Sequence, residues 1–113
     1  MRVRRNERYL ALIRRLPCLS CDTDPAGEAA HVRMSGPEKE ITGMGLKPAD
    51  RFALPLCRHC HTQGPNAQHT IGEVDFWTSL NLDPLAICRR LYAVRPNLSA
   101  MRDIIFAERE NRS

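Results

Sequence analysis

The sequence predicts a small α+β domain, two short strands flanked by helices, and three observations carry that expectation. Two Cys-x-x-Cys pairs, Cys18/Cys21 and Cys57/Cys60, lie far apart in the chain. Phe52, Leu54 and Leu56 alternate as a strand would into the second pair, and apolar residues recur at helical spacing on both sides of this region.

The cysteines organise the rest. A short Cys-x-x-Cys loop aims two thiolates at one ion, and two such loops from distant segments complete a tetrahedral zinc site. Two buried reduced pairs, or two redox pairs, are the alternative. A thioredoxin-like arrangement fails, because neither pair follows the long apolar strand of a βαβ unit. A structural zinc ion contributes on the order of 10 kcal/mol or more to the folded state, so the metal-free chain is expected to be largely unfolded. The fifth cysteine, Cys88, sits among Ala86, Ile87 and Leu91 and reads as a small buried hydrophobe outside the cage.

At 113 residues, with no Pro/Gly/Ser-rich linker, the chain reads as a single domain over 1–113, with a core of about 18–93. Its net charge of +4 is carried by arginine, since Lys39 and Lys47 are the only lysines. Arginine forks match phosphate geometry, which suits a nucleic-acid partner, although a general compositional preference for arginine produces the same bias. No apolar run approaches the roughly 20 residues that span a bilayer, and Met1-Arg2-Val3-Arg4-Arg5 lacks the apolar stretch of a signal peptide. A reducing cytoplasm, with no membrane partner, is the expected setting.

Taken in order, residues 4–16 carry Tyr9, Leu12, Ile13 and Leu16 at helical spacing, with Arg4, Arg8 and Arg15 on another face. That face is either a solvated surface or a phosphate-contacting ridge. Pro17 ends the helix. After the turn chemistry of Asp22 to Gly27, residues 28–34 read as a first strand bearing His31, a position that suits a packed histidine as well as a catalyst. Residues 35–50 are Gly- and Pro-rich and too long for a hairpin turn, which marks a functional loop; Gly43 and Gly45 permit close backbone approach to a ligand, with Lys47 and Asp50 following. The second strand delivers Cys57, and a helix opens at residues 58–60 with His61 in its first turn. Gly64-Pro65-Asn66 ends or kinks it. Thr70-Ile71-Gly72-Glu73 fits a capping box for a helix turning Val74, Trp77 and Leu80 inward. Asp83-Pro84 is an N-cap with proline at the first helical position, giving a helix to about residue 93. A last helix from about residue 99 buries Met101, Ile104, Ile105 and the stem of Glu108, and its charged end is expected to fray.

The order of these parts resembles the treble-clef zinc form of the HNH, or ββα-metal, nucleases. Ala30-His31-Val32-Arg33-Met34-Ser35-Gly36, then Gly43-Met44-Gly45-Leu46-Lys47-Pro48-Ala49-Asp50, then Cys57-x-x-Cys60-His61 and Phe76-Trp77, is similar to a phage and prophage nuclease group that includes the RecA-dependent nuclease Ref. The resemblance implies that Cys18, Cys21, Cys57 and Cys60 hold a closed structural zinc. It implies that His31 is the general base and that His61 binds a catalytic Mg²⁺ or Mn²⁺. His69 and Asp50 are its candidates to complete or orient that second site, and Asp50 and Lys47 serve equally as structural loop residues.

The sequence departs from the wider family pattern at Ala30, where a metal-binding Asp or His usually precedes the base, and in lacking the middle Asn. The expected function is a DNA endonuclease linked to recombination. The alternative is a non-catalytic zinc module that binds nucleic acid or a recombination protein. DNA contacts are expected from Arg4, Arg8, Arg15, Arg33 and Lys47, sequence-independent and salt-sensitive, with a RecA-type filament as a further partner.

Overall fold

The computed structural model describes residues 5–34 and 49–112. The 35–50 loop expectation, with Lys47 and both loop glycines, falls largely outside the described residues, as does Arg4. Element order is α1 (Glu7–Arg14), β1 (Glu28–His31), β2 (Ala53–Leu56), one wide π-helical turn (His59–Gln63), α2 (Gln68–Ile71), α3 (Glu73–Ser79), α4 (Pro84–Val94) and α5 (Leu98–Arg109). The α+β expectation is met by these helices around a two-stranded antiparallel sheet.

Helix α1 starts where the Asn6 side chain accepts a hydrogen bond from the Tyr9 N–H, a standard N-cap. It buries Tyr9, Leu10 and Ile13, and Leu16 follows them inward, while Leu12 is only partly covered. The strands pair in the register Glu28↔Leu56 through His31↔Ala53, and a further bond from Val32 N–H to Phe52 O closes the ladder. β1 is therefore shorter than the sequence pattern predicts, stopping at His31.

All four residues of β2 are buried, because α1 packs against both strands and α4 against β2. A strand covered on both faces carries no alternation of polar and apolar residues. Cys88, on α4, packs against this strand with its thiol 3.9 Å from the Ala53 carbonyl, as a buried hydrophobe should.

The capping box at Thr70 does not form. A short α2 ends at Gly72, whose φ of 95° is a conformation that glycine adopts freely, and α3 starts there with no side-chain cap. Phe76 and Trp77 are buried on α3, but Val74 faces solvent, because the turn at Gly72 rotates the helix relative to the uninterrupted pattern. Asp83 caps α4 as expected, accepting from Ala86 N–H with Pro84 in the first turn, and Asn97 caps α5 in the same way.

The end of α5 is tied down, contrary to the fraying expected of it. Arg109 and Arg112 both bridge the Asp22 carboxylate, at 2.7 and 2.9 Å, and Arg112 also donates to the carbonyls of Leu19 and Ser20. Arg102 adds bonds to Asp24 and to the Arg15 carbonyl. Glu108 is buried and paired with Arg90. The buried apolar side chains form one cluster that reaches from Tyr9 to Ile105 and includes three of the four paired cysteines. Among the described residues no helix is long and apolar enough to cross a membrane.

Candidate metal centre and histidine pairs

The first knuckle is shaped by its backbone. Cys18 N–H donates to Thr23 O, Asp22 N–H returns to Cys18 O, and Asp22 takes a φ of 73° to close the turn. Leu19 N–H donates to Pro55 O, which docks this loop on β2 just before the second knuckle. The result brings Cys18, Cys21, Cys57 and Cys60 together with all four sulfur atoms within 4.8 Å of one another, and Cys21 and Cys57 at 3.5 Å.

A tetrahedral zinc with bonds of about 2.3 Å requires sulfurs roughly 3.8 Å apart, so this donor set fits the ion. Four thiolates leave no position for water, which is the arrangement of a structural site. Ser20 N–H already points at the Cys18 sulfur, at 3.4 Å.

Burial pushes the Cys18 and Cys60 thiols up from their ordinary value. At Cys21 burial also acts upward. The Thr23 hydroxyl, 3.0 Å away, and the Thr23 backbone N–H outweigh it with the neighbouring thiols and bring the group down to about 7. An ion bound here neutralises the repulsion that four converging thiolates would otherwise suffer.

Two histidines are held by two different carboxylates. His31, at the end of β1, has its Nε2 2.8 Å from Asp50 Oδ1. Asp50 is buried and also accepts from Asn6 N–H at 2.6 Å and from Arg5 at 3.2 Å. Burial works to raise its carboxyl, but these donors prevail and hold it below the usual carboxylate range. The carboxylate fixes a proton on His31 Nε2, which leaves the Nδ1 lone pair as the ring's available base.

His61 turns its Nδ1 toward Glu28 Oε1 at 2.9 Å, and Arg58 donates to the other oxygen of Glu28 at 3.3 Å. The hydrogen bond from His61 is the main cause that lowers the Glu28 carboxyl, ahead of the opposing effect of burial. His69 on α2 lies edge-on to His61, with ring centroids 4.8 Å apart. A carboxylate on one ring nitrogen and a free second nitrogen is how proteins orient histidine ligands for metals.

Asp50, a candidate to complete or orient the His61 site or to serve as a structural loop residue, is hydrogen-bonded to His31. Glu28 and His31 are three residues apart along β1, which separates their Cα atoms by roughly 10 Å. Among the described residues the cysteine cage is the one group of three or more Cys, His, Asp or Glu donors gathered around a single point, so His61, His69 and Asp50 do not form a second such cluster.

Glu28 escaped the sequence reading. The signal was in the register: an antiparallel pairing that sets Glu28 opposite Leu56 puts it one residue from Cys57 and beside the turn that carries His61. Of the residues expected to meet DNA, Arg8 and Arg15 are exposed on and just after α1. Arg33 is exposed too, and its backbone N–H is bound to Glu73 Oε1 at 2.6 Å.

Fold and site together define a small α+β protein with a four-cysteine centre that can hold a metal such as zinc. The chain belongs to the DUF968 family, whose model, described as "Protein of unknown function (DUF968)", matches residues 1–73 and so contains all four cysteines, both strands and both histidine pairs. No curated protein and no solved structure matches the chain.

Proposed function

We propose that this protein is a zinc-stapled, metal-dependent DNA endonuclease of the HNH, treble-clef type. The observation that carries the reading is the His31–Asp50 pair. A buried, ionised carboxylate on Nε2 of a partly exposed histidine prepares Nδ1 to take a proton from the water that attacks a phosphodiester. A structural zinc in a closed sulfur cage has no use for such a pair.

In this reading Asp50 orients His31 and stabilises the imidazolium that forms when the proton arrives. Arg5, bonded to the same carboxylate, keeps a positive charge beside the place where phosphate charge develops. His61, oriented by Glu28, and the neighbouring His69 are the residues that would hold the catalytic divalent ion. That ion, when bound, neutralises charge on the leaving oxygen. Two imidazoles favour Mn²⁺ over Mg²⁺, which prefers oxygen ligands.

A second reading, a non-catalytic zinc module that binds nucleic acid or a recombination protein, is favoured by Ala30 at a usual ligand position and by the lack of a third protein donor beside His61 and His69 among the described residues.

Nicking of supercoiled and single-stranded DNA, with Mn²⁺ or Mg²⁺ and with a RecA filament supplied, separates the two. His31→Ala is expected to lower turnover by roughly 10² to 10⁴ while zinc content stays unchanged. His61→Ala is expected to be partly rescued by more divalent ion. Undiminished nicking by His31→Ala refutes the mechanism, and a wild type inactive under every condition leaves the binding module.

A further inference from the structure

The geometry points to a binding track for single-stranded DNA along the α1–α4 side of the molecule, passing over Asp50, the partner of His31. Three depressions of about 320 to 430 Å³ lie in a row there. The first and middle ones share Arg51 and Tyr92 in their walls, and the middle and last ones share Asn6. They adjoin one another through these shared wall residues and are taken together as one groove.

Five arginines line it. Arg89 is at one end, Arg5 and Arg51 are in the middle, and Arg8 and Arg95 are at the other end. Among the described wall residues Asp50 is the one acid; it is buried, and its oxygens are taken by Asn6, His31 and Arg5. Arginine N–H groups already engaged on one side still offer donors to a phosphate, since each guanidinium has five.

Charge alone would suit any polyanion, and the aromatic content narrows the choice. The Arg95 guanidinium lies over the Tyr92 ring, 3.4 Å from its centroid, and presents a flat stacking surface at the groove wall. Unpaired bases stack on aromatic rings and guanidinium planes, whereas a duplex keeps its bases inside and offers only phosphates to such a surface. Recessed depressions in series fit an extended strand laid one nucleotide after another. Because Asp50 lines the middle one, the strand crosses the residue that holds the general base. This assignment takes its meaning from the nuclease reading and extends it by giving substrate form and path. It differs from the sequence-based expectation, which placed the contacts on Arg4, Arg8, Arg15, Arg33 and Lys47; of these, Arg8 is among the groove arginines.

The test is equilibrium binding of full-length, zinc-loaded protein to a fluorescent single-stranded oligonucleotide and to a duplex of the same length, over a salt series and without divalent ion. Arg8→Ala and Arg89→Ala, at opposite ends of the groove, are expected to reduce the slope of log affinity against log salt by about 0.7 each, and together by about 1.4. Affinity of the double variant is expected to fall roughly tenfold or more at moderate salt. Arg15→Ala and Arg33→Ala, exposed outside the groove, are expected to bind as wild type does.

Zinc content and thermal unfolding of each variant show that the fold is intact. Wild-type slope and affinity in the double variant overturn the track, and so does a duplex that binds as tightly as the single strand. If the wild type nicks DNA while the groove variants retain full affinity, the track fails and the nuclease reading stands. If the groove variants lose affinity but no metal supports nicking, the track stands and the nuclease reading fails.

Discussion

Replacing Asp50 by Asn tests both the fold and the chemistry at one atom pair. The carboxylate receives three hydrogen bonds, from Asn6 N–H, His31 Nε2 and Arg5, and so ties the start of α1 to the end of β1. A hydrogen bond to a buried charge is worth about 1.5–3 kcal/mol. An amide of the same shape keeps one good acceptor but turns an NH₂ toward a donor, so at least one of these bonds is lost. The expected cost is about 2 kcal/mol at pH 7, which lowers the midpoint of thermal unfolding by roughly 8–16 °C.

The pH dependence has a definite sign. Asp50 has a folded pKa below its unfolded value, so its contribution is fully present above about pH 4 and is lost as pH falls through the folded pKa. The stability gap between wild type and Asp50→Asn should therefore be constant from neutral pH down to about 4 and close below it. Circular dichroism melts of the zinc-loaded proteins measure this. In parallel, nicking should fall while zinc content holds, because no cage atom is touched. A variant within about 0.5 kcal/mol of wild type at pH 7 would refute the account of the His31 pair.

Cys57→Ser should abolish stoichiometric zinc and cooperative unfolding, read by elemental analysis and calorimetry, whereas Cys88→Ala should keep full metal content. Arg112→Ala removes bonds to Asp22 and to two knuckle carbonyls, and should cost about 1–2 kcal/mol and hasten zinc loss to a chelator several-fold, followed by a colorimetric metal indicator. Gly64→Ala places a methyl 2.7 Å from the His59 ring and 2.8 Å from the His59 carbonyl, and should destabilise by about 1–3 kcal/mol in denaturant titration, because the backbone atom cannot yield.

What the sequence disclosed was what short-range spacing encodes. The Cys-x-x-Cys loops, the Asp83-Pro84 start of α4 and the burial of Cys88 each depend on neighbours within a few residues, and each stands in the fold. The capping box at Thr70 failed on a local rule too, because the positive φ of Gly72 resets the helix between Thr70 and Glu73. The site was legible as a set of residues but not as pairs. Asp50 and Glu28 reach histidines 19 and 33 residues away, and only the β1–β2 register and the packing of α1 decide which carboxylate meets which ring. The arginines of α5 were unreadable for the same reason, since nothing local to Arg112 marks Leu19 as its partner.

That last contact bears on how the protein is made. Arg112 and the Leu19 carbonyl are 93 residues apart, and the family-defining span ends at residue 73. A chain emerging from the ribosome displays all four thiols long before it can bring the α5 guanidinium groups to the first knuckle. Metal capture can therefore precede the locking of the loop that holds it. At a synthesis rate of roughly 5–20 residues per second, this leaves an interval of a few seconds in which the cage is complete but its cover is still being translated.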